Sequence, residues 1–196
     1  MANERVQITE EKLLSDNWYV LKRFTFNYLG KNGQWATQQR EAYDRGNGAT
    51  ILLHNPQTDM VILTRQFRLP TFVNGNSSGM LIETCAGLLD NDDPETAIIR
   101  ETEEETGYRI QSVQKVMEAY MSPGSVTEKL FFYIAQYTTD TERSAGGGIE
   151  EEEIDILELP FTEAVAMMER GEIMDGKTIM LLQHLRLQQL TATYQN

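Results

Sequence analysis

Cysteine is almost absent: Cys85 stands alone in 196 residues. No disulfide can form within the chain, which suits a reducing cytoplasm, and Cys85 reads as a small buried hydrophobe at a strand end. Long apolar runs are missing as well. Nothing approaches the roughly 18 residues of a membrane span. The polar opening MANERVQITEEK has neither the apolar stretch nor the cleavage site of a signal peptide. The expectation is a cytoplasmic protein with no membrane partner. Basic residues are scarce, 17 Lys and Arg against 30 Asp and Glu, for a net charge of −13. That balance argues against a nucleic-acid partner, whose binding rests on Lys and Arg contacts to phosphate. It also repels a small anionic substrate unless metal ions bridge the two. The two histidines, His54 and His184, form no metal-ligand spacing.

What is present, 40% apolar residues, suffices for one good core. Residues 17–29 read as a strand, with Trp18, Val20, Phe24, Phe26 and Tyr28 on alternate positions. Lys31-Asn32-Gly33 is a turn, and residues 34–44 return as a second strand. Two strands are marginal in water, so this arm must pack on something. The Gly46-Asn47-Gly48 break marks a boundary between an N-terminal β arm, 1–47, and a main domain, 48–196. Strands follow at 49–54, 60–68 and 80–86, then an acidic helix, then strands at 113–121, 129–137 and 154–159. Two helices close the chain, about 162–170 and 177–190. Residues 138–148, TTDTERSAGGG, read as the most flexible stretch. The pattern predicts an α/β fold, a mixed sheet between helices with an antiparallel β arm in front.

The chemistry concentrates in residues 87–108, GLLDNDDPETAIIRETEEETGY. Asp92 or Asp93 supplies an N-cap oxygen, Pro94 takes the first turn, and Gly107 ends the helix as a left-handed residue. Glu101, Glu104 and Glu105 then stand at i, i+3 and i+4, three carboxylates on one face with only Arg100 on the flank. At about 6 Å and an effective dielectric near 20, each like-charge pair costs roughly 3 kcal/mol before screening. A divalent cation reverses that sign, and oxygen-only ligands favour Mg²⁺ or Mn²⁺ over zinc.

The run from Arg100 to Tyr108 resembles the signature of the Nudix hydrolases, G-x5-E-x7-R-E-U-x-E-E-x-G-U with U a bulky apolar residue. Thr102 replaces an aliphatic, Gly87 lies one residue too close to Arg100, and the first acid is Asp92 or Asp93 rather than Glu. The helix acids keep their mutual spacing. Further stretches resemble the GDP-mannose pyrophosphatase family within it: SDNW (15–18), REAYDRGNGATILL (40–53), RQFR (65–68), ETCAGLLDND (83–92), YMSPGSVTE (120–128), AGGGIE (145–150) and DGKT (175–178).

The resemblance implies an α/β/α sandwich and an Mg²⁺-dependent hydrolase that splits the diphosphate of a nucleotide sugar, GDP-mannose first among them. It implies a homodimer with exchanged N-terminal arms. The backbone carbonyl of Ala86, with Glu101, Glu105 and Glu152, would hold the metal, Glu104 assisting. Arg68, Gly87, Leu88, Glu128, Glu151 and Lys177 would line the substrate, and Trp18, Arg40 and Glu41 would reach in from the other subunit. The four-Glu run 150–153 on its glycine hinge would act as a movable lid, Glu152 accepting the proton of the attacking water; the choice within the run is open by one residue. Alternatives are ADP-ribose hydrolysis with the same metals, a nucleotide sensor without chemistry, and a plain divalent-ion buffer.

Overall fold

The computed structural model describes residues 3–148 and 153–193, with side chains through residue 191. The chain divides into two compact units, one of residues 1–47 with 120–129, the other of 48–119 with 130–196.

The first unit is built on an antiparallel sheet of three strands, β1 (Val6–Asp16), β2 (Val20–Leu29) and β3 (Trp35–Asp44), in the order β1-β2-β3. The hairpin expected from the alternation is β2 and β3. The strand β1 was not expected, because VQITEEKLLSD is polar and lacks a clean period of two. It forms because β2 has an open edge, which β1 pairs from Val6 opposite Tyr28 to Asp16 opposite Val20. Residues 120–129 join this unit through Tyr43: its N–H donates to Ser125 O and its carbonyl accepts from Thr127 N.

The second unit holds a seven-stranded mixed sheet. Its centre is β4 (Gly48–Asn55), buried along its whole length. β9 (Lys129–Gln136) lies parallel to it on one side, with β8 (Gln114–Tyr120) beyond. On the other side the sheet forks. The end of β4 pairs with β5 (Met60–Phe67), whereas its beginning pairs with β7 (Cys85–Leu88). The remainder of β5 pairs with β6 (Met80–Glu83), and β10 (Asp155–Pro160) covers its outer edge. A single strand over 80–86 is therefore corrected to two strands with different partners, broken at Thr84. Two threonine hydroxyls satisfy the backbone where the fork opens. Thr50 Oγ1 lies 2.9 Å from Thr84 Oγ1 and donates to Cys85 O, and Thr64 Oγ1 donates to Glu83 O.

A short helix α1 (Leu69–Val73) occupies part of the loop after β5. α2 (Pro94–Thr106) packs Ala97, Ile98 and Thr102 against β4 and β7, so that Ile51, Leu53, Ile62, Cys85, Tyr133 and Ala135 form one core with it. On β4's other face lies α4 (Gly176–Thr193), with α3 (Phe161–Glu169) against it, their buried side chains including Phe161, Ala164, Leu181, Leu182 and Leu185. The sheet is thus layered between helices.

Residues 138–148 do not behave as a free hinge. Ser144 N donates to Gly107 O, Gly147 N to Glu105 O and Gly148 N to Glu104 O, so the loop supplies donors to carbonyls that a helix C-terminus leaves unpaired. Arg109 pins the loop further, through its pairs with Glu103 and Glu142. The glycines permit close approach: a Cβ on Gly146 would stand 2.6 Å from the carbonyl carbon of Thr106, at a φ of +62°. Gly171 also has a positive φ, +76°, but open space around it. Gly146→Ala is expected to destabilise the protein by about 3 kcal/mol and Gly171→Ala by about 1 kcal/mol. Urea unfolding of the two variants against the wild type checks the difference.

Candidate active site

The site is assembled by α2 against the fork. Asp93 is the N-cap, its carboxylate accepting from Glu95 N and Thr96 N, and Gly107 ends the helix at a φ of 80°. Between those caps the helix phase is fixed by burial of Ala97, Ile98, Thr102 and Thr106. Thr102, the departure from an aliphatic, returns its hydroxyl to Ile98 O at 2.6 Å and so buries no unpaired group. Once that face is committed to the core, Glu101 and Glu105 turn toward β7, and Glu104 lies beside Arg100 and residues 144–146 and 148.

Glu105 is 5% exposed. Its Oε2 accepts from Ala86 N at 3.3 Å, and the Cys85 thiol faces its carboxylate. Burial first, then the charge of Glu101, pushes its pKa up to about 7, while the Cys85 thiol, Arg68 and the Ala86 N–H oppose the rise. Burial also raises the Cys85 thiol well above its usual range, with Glu105 adding to the effect. Glu101 comes close to the backbone of Gly87: a Cβ there would stand 2.1 Å from Glu101 Cδ. A side chain at Gly87 would therefore displace the Glu101 carboxylate, whereas the backbone conformation there makes no demand for glycine. Arg100 is more than a flanking charge. Its Nη1 lies 2.9 Å from Glu101 Oε1 and 3.2 Å from Glu104 Oε2, and the same guanidinium reaches toward Asp90 and Asp92. In the absence of a metal, this arginine offsets the repulsion on the acidic face.

The donors fit a hard divalent cation in kind. Two carboxylates, Glu101 and Glu105, meet the Ala86–Gly87 backbone where a methyl group would not fit, and every donor is oxygen. Among the described residues, no group of three His, Cys, Asp or Glu is gathered closely enough to hold a metal alone. The remaining acid expected there, Glu152, lies outside the described residues, as does Glu151.

The cations expected to meet substrate are not free surface charges. Arg68 donates through Nε to Glu83 Oε2 at 2.6 Å, and Lys177 pairs with Glu83 Oε1 and, at 3.1 Å, with Asp175. Arg65, the other arginine of RQFR, is committed to Asp155 across β5 and β10. Glu83 was missed by sequence reasoning, although a charged residue inside the apolar run MLIETCA was a visible signal. Leu88 ends β7 beside Gly87.

The remaining residues lie in the first unit. Trp18 is 83% exposed with Tyr19 at its edge. Arg40 donates to Gln39 O and Gln38 Oε1. Arg40 and Glu41 line a cleft of about 620 Å³ with Tyr120 and residues 123–127. Glu128 pairs with Arg45 at 3.6 Å.

One outcome concerns the metal-free protein and a second its binding of metal. The buried neutral form of Glu105 is favoured in the fold, since its value of about 7 exceeds the ordinary 4.5. Its contribution is complete below pH 4.5 and is lost as pH rises through about 7, a difference of roughly 3 kcal/mol. Melting in EDTA should therefore fall between pH 5 and 8 for the wild type and stay nearly level for Glu105→Gln. Gly87→Ala should push Glu101 aside and weaken Mn²⁺ binding about tenfold or more, read by calorimetric titration.

Residues 5–43 match the family described as "GDP-mannose pyrophosphatase NudK N-terminal domain", and residues 44–181 match the NUDIX domain. A GDP-mannose pyrophosphatase of Pectobacterium atrosepticum is 58% identical over 179 residues, covering 91% of this chain and 93% of the relative. One from Citrobacter koseri is 54% identical, covering 93% and 96%, and one from Escherichia coli O1:K1 / APEC is 52% identical, covering 95% and 98%. The fold is similar to that of the crystal structure of an ADP compounds hydrolase, with a TM-score of 0.74, 18% identity and 98% of each chain covered. With its acidic helix, its forked mixed sheet and matches that span both units, this chain belongs to the Nudix family, with a NudK-type domain ahead of the Nudix domain.

Proposed function

We propose that this Nudix pyrophosphatase hydrolyses the diphosphate bond of GDP-mannose to GMP and mannose 1-phosphate, with Mg²⁺ as the metal and Mn²⁺ able to replace it. The carrying observation is the meeting of Glu101 and Glu105 with the Ala86–Gly87 backbone in a chain more than half identical to GDP-mannose pyrophosphatases along nearly its whole length. Among the described residues no helix is long and apolar enough to cross a membrane, and a cytoplasmic location is part of the same reading.

The backbone carbonyl of Ala86, with Glu101, Glu105 and Glu152, would hold the metal, and Glu104 would orient it. Bound divalent ions supply charge neutralisation of the diphosphate, acidify water and stabilise the leaving phosphate. Arg100 would have to release the Glu101 and Glu104 carboxylates as ions arrive. Arg68 and Lys177 would grip the diphosphate, guanidinium being suited to bidentate phosphate contacts. Glu152 would accept the proton of the attacking water, and Glu151, Gly87, Leu88 and Glu128 would line the substrate; Glu151 and Glu152 enter on the sequence alone. In an arm-exchanged homodimer, Trp18 of the partner subunit would stack on the base, and the partner's Arg40 and the partner's Glu41 would complete the pocket. Positioning and charge stabilisation carry the reaction, because in-line displacement leaves little covalent work for the protein.

ADP-ribose is the second reading, since the same metal face serves any nucleoside diphosphate linked to a sugar. A turnover screen across nucleotide sugars and dinucleotides, with Mg²⁺ and with Mn²⁺, is expected to rank GDP-mannose first in kcat/KM. Preference for ADP-ribose would replace the substrate and leave the reaction class intact. Glu105→Gln is expected to lower turnover of every nucleotide sugar by about 100-fold or more. Unchanged turnover would remove the metal helix from the mechanism. Light scattering at micromolar concentration should give a dimer.

A further inference from the structure

Glu83 takes no part in the assignments above, yet it is among the most buried charged residues of the chain, 3% exposed. Its two oxygens are divided between cations from distant parts of the sequence. Oε2 accepts from Arg68 Nε at 2.6 Å, and Oε1 pairs with Lys177 Nζ. Lys177 is held a second time by Asp175 Oδ2 at 3.1 Å, an oxygen that also accepts from the N–H and hydroxyl of Thr178 at the start of α4. Thr178 Oγ1 in turn accepts from Thr84 N at 2.7 Å. Consecutive residues of the fork, Glu83 and Thr84, are thus locked to consecutive residues of α4, Lys177 and Thr178.

A buried ion network contributes little net stability, because desolvation offsets its attraction and an apolar replacement packs as well. Its presence here calls for another reason. Arg68 meets Glu83 through Nε, and its terminal nitrogens make no hydrogen bond among the described residues. A guanidinium fixed by Nε has lost its freedom to swing while keeping its terminal donors for a phosphate. Lys177, 12% exposed at its side chain, is likewise held in one place rather than mobile in solvent.

We propose that Glu83 is a positioning residue, which holds Arg68 and Lys177 at a fixed separation and aims them at the substrate's diphosphate. This rests on the reading above that both cations bind substrate. The orientation is set before binding, so the ordering cost of two long side chains is not met when substrate arrives.

Steady-state kinetics of the full chain with GDP-mannose and Mg²⁺ test it. Glu83→Gln keeps the shape and removes the charge. It should raise KM about tenfold or more, with the half-activating Mg²⁺ concentration near that of the wild type. In the background Arg68→Met with Lys177→Met, the same substitution should change KM by less than about twofold, because the groups it acts through are gone. Glu83→Asp keeps the charge but is too short to span both cations, and should give an intermediate KM; it takes the place of the glutamine variant if that does not fold. A KM within twofold of the wild type for Glu83→Gln, or an equal loss in both backgrounds, overturns the assignment. Failure of the substrate reading would show in the wild type itself, as absence of GDP-mannose turnover. The same cycle is then read by calorimetric affinity for magnesium pyrophosphate, with the same expected and overturning outcomes.

Discussion

Carboxylates that repel one another must be held together before they can hold anything else, and the remainder of this fold is arranged to do that. α2 commits Ala97, Ile98 and Thr102 to the core, and this commitment leaves Glu101 and Glu105 no choice but to face β7. Glu105 is held uncharged-prone by burial, at a pKa pushed up to about 7, and Glu101 lies where Gly87 has no side chain. The cost of confining them is met by well-packed apolar contacts elsewhere on the helix, by Arg100 between Glu101 and Glu104, and by donors to the helix carbonyls from Gly147 and Gly148. Under the proposed function, a chain of net charge −13 could then approach a diphosphate, because its negative groups at that point would hold a cation rather than face the substrate.

The forked sheet is the other half of the arrangement. A regular sheet would pair β4 with β5 along their full length and bury the edges that β6 and β7 now occupy. Their divergence admits the break at Thr84, and the chain on its two sides faces two tasks. Before the break, Glu83 gathers Arg68 and Lys177. After it, Cys85 to Gly87 meets the helix acids. One residue separates the carboxylate that holds Arg68 and Lys177 from the backbone that meets the helix acids, and two threonine hydroxyls keep the fork's backbone paired.

How much of this could be read beforehand depends on how local each feature is. The bounds of α2 follow from Asp93, Pro94 and Gly107, residues that act on their own backbone, and the three acids follow from a spacing of three and four. The buried strand β4 and the hairpin of β2 and β3 were legible as apolar runs or alternation. β1 was not, since its polar residues become a strand only when an open edge is beside them. Residues 138–148 misled for the converse reason: small polar residues and glycines read as freedom, whereas Gly146 is small because Thr106 and Gly107 lie against it. Glu83 was present in plain view, but its partners stand 15 and 94 residues away.

The amino-acid order by itself determined the kind of chemistry: a helix with three acids on one face, an α/β pattern and a family signature, all carried by short-range spacing. Tertiary structure alone decided which charges are spoken for. It divided one apolar run into two strands, gave Arg100 to the helix acids and Arg68 and Lys177 to Glu83, and folded a glycine loop onto the end of α2. The physical reason is common to all of these. A charge or a backbone amide buried by distant packing must find a partner within about 3 Å, and that partner is chosen by proximity in space, to which neighbouring letters in a sequence are blind.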